Sequence, residues 1–433
     1  MNMRFFCLPV FLLLSVANAS VVKSPSRAYC DFALKQCDRM DKQMPDYTAA
    51  AEIVVQRVLK GGVFGVPSFN HQLLCSELAG RAGGFIRFGF DRSWKTNSSD
   101  SEKAYDVAFL DWERAPDPTE LAHLRELKKQ GVYIIAFGRK TMPALAEYVT
   151  LCDVFFDTGL KDDCVVTLSD GTRAGRANHY VSTMSAWVLM AEMVSAFTRQ
   201  GKMPTMYRSM FCEDAATWNN GVLKQGMFHD DLTVEPIPAG ELGKAYVEHI
   251  REYVKRFRKT QLPEVGRAAD LLHAQVKDGS KALVLTLGHM PYLYVGFYED
   301  ARWAKLVDFG GAGQKEALLS LKPEGRQVLR LGYFGESAEA RQILQEQKLR
   351  LIYICGNNPR PGFQIPEECI LKIDMCAPFG DSCVTIKDYP IPILPASGVM
   401  QVVAYEAVNT EVLARLAQDS RQKAKERGRR SIH

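Results

Sequence analysis

The 433-residue sequence is without most of the short motifs that identify an enzyme at sight. It has no CxxC pairing beside histidines, no GxSxG, no HExxH and no P-loop. Those absences exclude the usual zinc ribbons, nucleophile-elbow hydrolases, zincin proteases and P-loop NTPases. The one glycine-rich turn after a strand, FGGAGQKEA (309–317), lacks the third glycine of a dinucleotide fingerprint; Glu316 stands there. No cofactor and no metal is therefore expected. Excess charge is scarce too, with 54 basic and 50 acidic residues giving +4. Much of that excess sits in the closing RQKAKERGRRSIH, so the body is near neutral and a nucleic-acid groove is not expected. Past the leader, no segment reaches transmembrane length without charges, and no membrane span is expected.

The first nineteen residues, MNMRFFCLPVFLLLSVANA, carry one early cation, an apolar run and a small-x-small ending at Ala17-Asn18-Ala19. That is a signal-peptide pattern, with cleavage expected before Ser20 and an exported mature chain, periplasmic or secreted. Of eleven cysteines, Cys7 lies in this leader, leaving ten where disulfides persist. Bridges and buried free thiols both stay open.

What the chain does have is a pattern written twice. The first copy runs strand VFGV (63–66), a helix from about 70, strands FIRFGF (85–90) and DVAFLDW (106–112), then helix 118–131 and strand 132–138. CDVFFDTG, CVVTL and a long apolar helix (181–201) close it. The second copy repeats the order from ALVLTLG (282–288) to the helix 397–418. Single residues survive the duplication: Cys152 and Cys369 each lie five before Asp157 and Asp374, and Cys164 and Cys383 open the next short strand. Bridges Cys152–Cys164 and Cys369–Cys383 across adjacent strands are one reading of that match. Four small buried hydrophobes are the other. Strands apolar on both faces, alternating with amphipathic helices, predict an α/β fold of two tandem units, each a mainly parallel sheet flanked by helices. The expected division is a leader (1–19), a first unit (46–204), a linker (205–239), a second unit with leading helices (240–418) and a basic tail (419–433).

GGVFGVPSFNHQLLCSELAGRAGG, AFLDW…ELKKQGVYIIAFGR, CDVFFDTGLKDDCVVTL and FTRQGKMP together resemble the sugar isomerase (SIS) domain. KIDMCAPFGDSCVTIKDYPIPILPASGVMQVVAYEAVNTEVLARL is similar to the closing segment of SIS proteins, with Asp374, Gly380-Asp381 and Pro395-Ala396-Ser397 in place. The resemblance covers most of residues 46–418. It implies two flavodoxin-like units and a sugar or phosphosugar ligand held at the carboxyl ends of the strands. It also implies a choice between binding alone and aldose–ketose isomerisation or a related lyase reaction. Glu77, in Glu-Leu-Ala-Gly-Arg, is similar to the general base of heptose-phosphate isomerases, and His179 falls near their histidine. A base of that kind moves a proton between adjacent carbons.

Ser68, at the end of the first strand, would meet a helix N-terminus that attracts anions, with Asn70 and His71 beside it. Ser182, Thr183, His289, Ser337 and Ser397 complete the expected ligand-binding set. Each has a plainer account: Glu77 and Arg81 as a surface i,i+4 ion pair, the histidines as satisfied polar groups, and Ser182, Thr183 and Ser397 as N-caps. The loops ERAPDPTE and GESAEA hold acids where SIS phosphate sites hold Ser and Thr. This favours a neutral sugar derivative and a binding role over an enzyme. Homo-oligomerisation stays open.

Overall fold

A computed structural model of the chain describes residues 24–67, 69, 72–90, 106–113, 115–286, 303–308, 314–321, 325–357 and 364–430. It opens with α1 (Pro25–Leu59), capped by Ser24, whose side chain accepts from the Arg27 N–H. Helix α1 is absent from the sequence reading, which opens the first unit at 46. Pro45 sits inside it. Then come β1 (Phe64–Val66), α2 (Gln72–Leu78), β2 (Gly89–Phe90), β3 (Val107–Trp112), α3 (Pro118–Lys129) and β4 (Tyr133–Gly138). The unit closes with α4 (Ala146–Leu151), β5 (Val154–Asp157), β6 (Cys164–Thr167), β7 (Arg173–Arg176) and α5 (Asn178–Arg199).

The stretch expected as a linker contains a helix, α6 (Ala215–Gln225). Helices α7 (Glu241–Thr260) and α8 (Leu262–Val276) lead into β8 (Ala282–Thr286), β9 (Ala304–Asp308), α9 (Gln314–Leu319) and β10 (Gln327–Leu331). The second unit continues through α10 (Ala338–Glu346), β11 (Arg350–Cys355) and β12 (Cys369–Asp374). A hairpin of β13 (Ser382–Val384) and β14 (Ile393–Pro395) then feeds α11 (Ser397–Arg430). That last helix takes in most of the expected basic tail.

Both sheets are five-stranded and parallel, with orders β2-β1-β3-β4-β5 and β9-β8-β10-β11-β12. That is the flavodoxin-like order, present twice. The chain is an α/β protein of two tandem units, each a parallel sheet flanked by helices. Local chemistry explains several boundaries: α3 starts at a capping box, Asp117 accepting from the Thr119 N–H while Glu120 accepts from the Asp117 N–H, with Pro118 at its first position.

FIRFGF is a strand only at its last two residues. There β2 lies so close to β1 that a Cβ on Gly65 would overlap the Gly89 carbonyl. The two short cysteine strands do not join the main sheets. Each folds back on its successor as an antiparallel hairpin, β6 on β7 and β13 on β14. Cys152 and Cys164, and Cys369 and Cys383, are thus not on adjacent strands, and the bridged reading fails. None of the nine cysteines whose side chains are described is in a disulfide.

Period-2 alternation divides each sheet between two cores. In β3, Val107 and Phe109 join the large inner core, whereas Ala108, Leu110 and Trp112 face a separate cluster under α3. In β8, Ala282 and Val284 point inward and Leu283 and Leu285 outward. The inner faces of both sheets share one core, filled by α1, α5, α7 and α11. Helix α5 is long and apolar enough to cross a membrane, and every residue from Asn178 to Thr198 is buried in that core.

One buried acid in α5 organises the helices around it. Helix α7 starts at Gly240, which has no side chain to cap with. Glu192 supplies the cap from outside: its Oε2 accepts from the Gly240 N–H at 2.7 Å and its Oε1 from the Gly243 N–H at 2.9 Å. Thr48 Oγ1 of α1 donates to the same carboxylate at 3.1 Å. A carboxylate there satisfies orphan donors and the helix dipole together. Glu192→Ala is expected to lower unfolding free energy by about 2–3 kcal/mol, a lost cap plus buried unsatisfied donors. Urea denaturation reads the loss; no measurable change would show that α7 does not depend on this cap.

Candidate functional site

Helix α2 ends at Leu78 and the chain turns through Gly80, which sends Arg81 across the seam to the second unit. Neither Glu77 nor Arg81 is at the surface; their exposures are 0% and 3%. Arg81 Nε lies 3.4 Å from Glu77 Oε2, and Trp187 Nε1 of α5 donates to Glu77 Oε1 at 3.2 Å. The rest of the guanidinium belongs to the other unit. Nη1 donates to Tyr333 OH at 3.0 Å and lies 3.5 Å from Asp381 Oδ2, and Nη2 donates to Ser397 Oγ at 3.1 Å. The surface-pair account of Glu77 and Arg81 is therefore corrected. They are half of a buried polar network that joins the two units.

The second unit is shaped to receive this arginine. Gly380 and Asp381 both take positive φ, +79° and +76°, turning the Asp381 carboxylate back toward Arg81 and the start of α11. Its Oδ1 accepts from the Ser397 N–H at 3.3 Å. Ser397 is the first residue of α11 rather than its N-cap, and its hydroxyl accepts from Arg81. Gly398 follows because nothing larger fits: a Cβ there would fall 2.6 Å from Glu77 Oε1. Burial pushes the Glu77 carboxyl above its ordinary pKa, against the pull of Arg81, with Asp381 raising it further. Burial acts to lower the Arg81 pKa, but Asp381 and Glu77 outweigh it, so this cation stays charged.

A cavity of about 260 Å³ opens beside the network. Its polar lining comes from Arg81, Tyr207, Arg208, Ser209, Asn219 and Asp381, with Tyr333 and Phe211 as aromatic walls. Glu77 is not among the lining residues; it lies behind Arg81.

His179 belongs to a second buried cluster, at the carboxyl end of β3. The alternation that turns Phe109 inward turns Asp111 inward too, and Glu113 follows in the same register. His179 Nδ1 is 2.8 Å from Glu113 Oε1, and Asn178 Nδ2 donates to Glu113 Oε2 at 3.2 Å. Burial, then Glu113, pushes the Asp111 carboxyl well above the carboxylate range. The expected N-cap roles of Ser182 and Thr183 are corrected, because α5 already begins at Asn178. Thr183 Oγ1 instead lies 3.4 Å from His179 Nε2, while Ser182 Oγ is buried.

In the second unit, Ser337 caps α10, accepting from the Ala340 N–H. The acid that opens each loop's acidic run is buried and engaged rather than facing an open site: Glu113 with His179, and Glu336 with Arg330 and Tyr353. Ser68, Asn70, His71 and His289 lie outside the described residues. Sequence reasoning missed Trp187, Tyr333, Asp111 and the bridging role of Arg81. A signal existed for Asp111, a lone acid inside the apolar strand VAFLDW.

No protein-family model matches the chain, and no curated protein sequence does. Solved structures do. A candidate sugar binding protein from Salmonella typhimurium LT2 is similar over 90% of this chain and 99% of its own, with a TM-score of 0.51 at 9% identity. A candidate phosphosugar isomerase from Silicibacter pomeroyi DSS-3 covers 92% and 98%, with a TM-score of 0.47 at 11% identity. At such identities the likeness is one of fold, and the Salmonella protein shares that fold along nearly its whole length.

Proposed function

We propose that the protein binds a small sugar derivative in the cavity between its two units and does not isomerise it. The observation that carries this reading is the position of Glu77. An isomerase base must reach a carbon-bound proton of the substrate. Glu77 is fully buried, held by Trp187 and screened from the cavity by Arg81. The cavity itself suits recognition: two cations, a carboxylate, an amide, hydroxyls and aromatic faces converge on it, and sugar hydroxyls both donate and accept. Pockets for drug-sized ligands run from about 300 to 1,000 Å³, so the volume here favours something no larger than a monosaccharide. Arg81 is matched by Asp381 and Arg208 by Asp214, 2.5 Å away, and this pairing favours a neutral or zwitterionic derivative over a phosphate dianion.

Thermal stabilisation against a panel of sugars, amino sugars and sugar phosphates tests this. A ligand at a hundredfold excess over its Kd adds about 2.7 kcal/mol of stability. Tyr207 provides the matching variant, because its backbone, not its ring, is hydrogen-bonded to Gly83 and Gly84. Tyr207→Ala is expected to abolish the ligand-induced shift while leaving the unliganded melting temperature in place. Silence across the panel would sink the proposal. Turnover of a sugar that disappears in Glu77→Gln would replace it with the isomerase reading.

A further inference from the structure

The cluster at the end of β3 has a composition the sequence did not disclose. Asp111, Glu113 and His179 each place one ligand-type atom so that all lie within 4.8 Å of one another, and all three residues are buried. The two acids are neighbours in the chain, but Glu113 and His179 are 66 residues apart, so no spacing motif announces the set. The sequence-based expectation of no metal rested on such motifs.

We propose that Asp111, Glu113 and His179 bind one divalent transition-metal ion, zinc or manganese, between β3 and α5. Imidazole together with carboxylate oxygen suits this class of ion better than calcium or magnesium. The surroundings have the form of a ligand-orienting shell. His179 Nε2 faces Thr183 Oγ1 at 3.4 Å, which leaves Nδ1 as the ligand atom. Asn178 Nδ2 holds Glu113 Oε2, which leaves Oε1, the atom nearest that nitrogen. Thr158 Oγ1 donates to Asn178 Oδ1 at 3.2 Å and fixes the amide in turn.

An independent observation comes from Ser182. Its hydroxyl is fully buried and within reach of the Asp111 carboxylate, yet no hydrogen bond of normal geometry satisfies it. A hydroxyl left so in a dry interior is unfavourable unless something fills the space it faces. An ion coordinated by Asp111 would do so, and would also neutralise two adjoining carboxylates. The competing arrangement needs no ion: Asp111 keeps a proton and shares it with Glu113.

Metal content separates the two. The full mature chain, expressed with zinc or manganese supplied and passed through gel filtration in chelator, should carry about one ion per chain by plasma mass spectrometry. Asp111→Asn and Glu113→Gln should each reduce this at least tenfold with the circular dichroism spectrum retained. X-ray absorption of the loaded wild type should show nitrogen and oxygen neighbours including one imidazole. This arm holds even if a variant does not fold. Less than a tenth of an ion per chain, both as purified and after refolding in excess metal, would overturn the proposal. So would sulfur in the metal's first shell, or full loading in both variants. Refolding in zinc or manganese that raises the melting temperature of wild type, relative to refolding without metal, but not that of Asp111→Asn would support it.

Discussion

Arg81→Ala should unfold this protein more readily than almost any other single change in the seam, by about 3–5 kcal/mol. The substitution removes the cation shared by Glu77 and Asp381, which are 0% and 4% exposed. It also takes away the hydrogen bonds to Tyr333 and Ser397 and the cation–π contact with the Tyr333 ring, 5.6 Å from its centroid. Two carboxylates are then left in a site that cannot hydrate them. Glu77→Gln should behave quite differently, changing stability by less than about 1 kcal/mol, because its burial already outweighs the attraction of Arg81. Adding Glu77→Gln and Asp381→Asn to Arg81→Ala should restore part of the loss. Urea midpoints of the four proteins decide the matter. Equal losses for Arg81→Ala and Glu77→Gln would mean that the arginine is not the centre of the network.

The same pair gives a pH signature. Glu77 has its folded pKa raised above the ordinary glutamate value of 4.5, chiefly by burial. In the window between those two values the folded chain holds a proton that the unfolded chain has released. The penalty for the ionised form is present above the folded pKa and fades as pH falls through it. The stability of wild type minus that of Glu77→Gln should therefore shift in favour of wild type on acidification toward pH 4.5. A difference that is flat, or of opposite slope, would show that Glu77 stays ionised in the folded state because Arg81 dominates.

The second large effect is expected in the other unit. Arg330 is 0% exposed, and its Nε and Nη2 donate to Glu336 at 2.7 and 2.9 Å. Tyr353 OH donates to the same carboxylate at 2.7 Å. The loop carrying Glu336 is positioned by this fork, which sits on the outer face of β10 because Arg330 alternates with inward-facing Leu329 and Leu331. Glu336→Ala removes the carboxylate that neutralises Arg330 and should cost about 3–5 kcal/mol. Glu336→Asp, too short to keep both forks, should recover a minority of it. Replacing Arg330 and Glu336 together by Leu and Met should cost less than Glu336→Ala alone, since a buried pair is often dispensable when both partners go. A double variant worse than the single would show that the pair itself, rather than the stranded charge, supplies the stability.

The duplicated order of strands, the alternation of apolar strands with amphipathic helices and the positions of most helices were legible in the sequence. Hydrophobic periodicity is a local property, and a strand buried on both faces has to be apolar along its length. Helix α1 was less legible, because Pro45 reads as a break where packing against α5, α7 and α11 keeps the helix continuous. The two cysteine strands misled for the opposite reason. Their apolar pattern fits a sheet strand, but each found its hydrogen-bond partner in the next strand of an antiparallel hairpin rather than in the main sheet.

By itself, then, the sequence determined the fold class, the two-unit plan and the candidate positions Glu77, His179 and Ser397, because those follow from patterns a few residues long. Only the tertiary structure decided what these residues do. Arg81 meets Asp381 across 300 residues of chain, and Asp111 and Glu113 meet His179 only once β3 and α5 have packed. Charges so far apart in sequence leave no periodic trace. Their partners are chosen by which strand ends and helix starts the topology brings to the same buried place, where an unmatched charge could not remain.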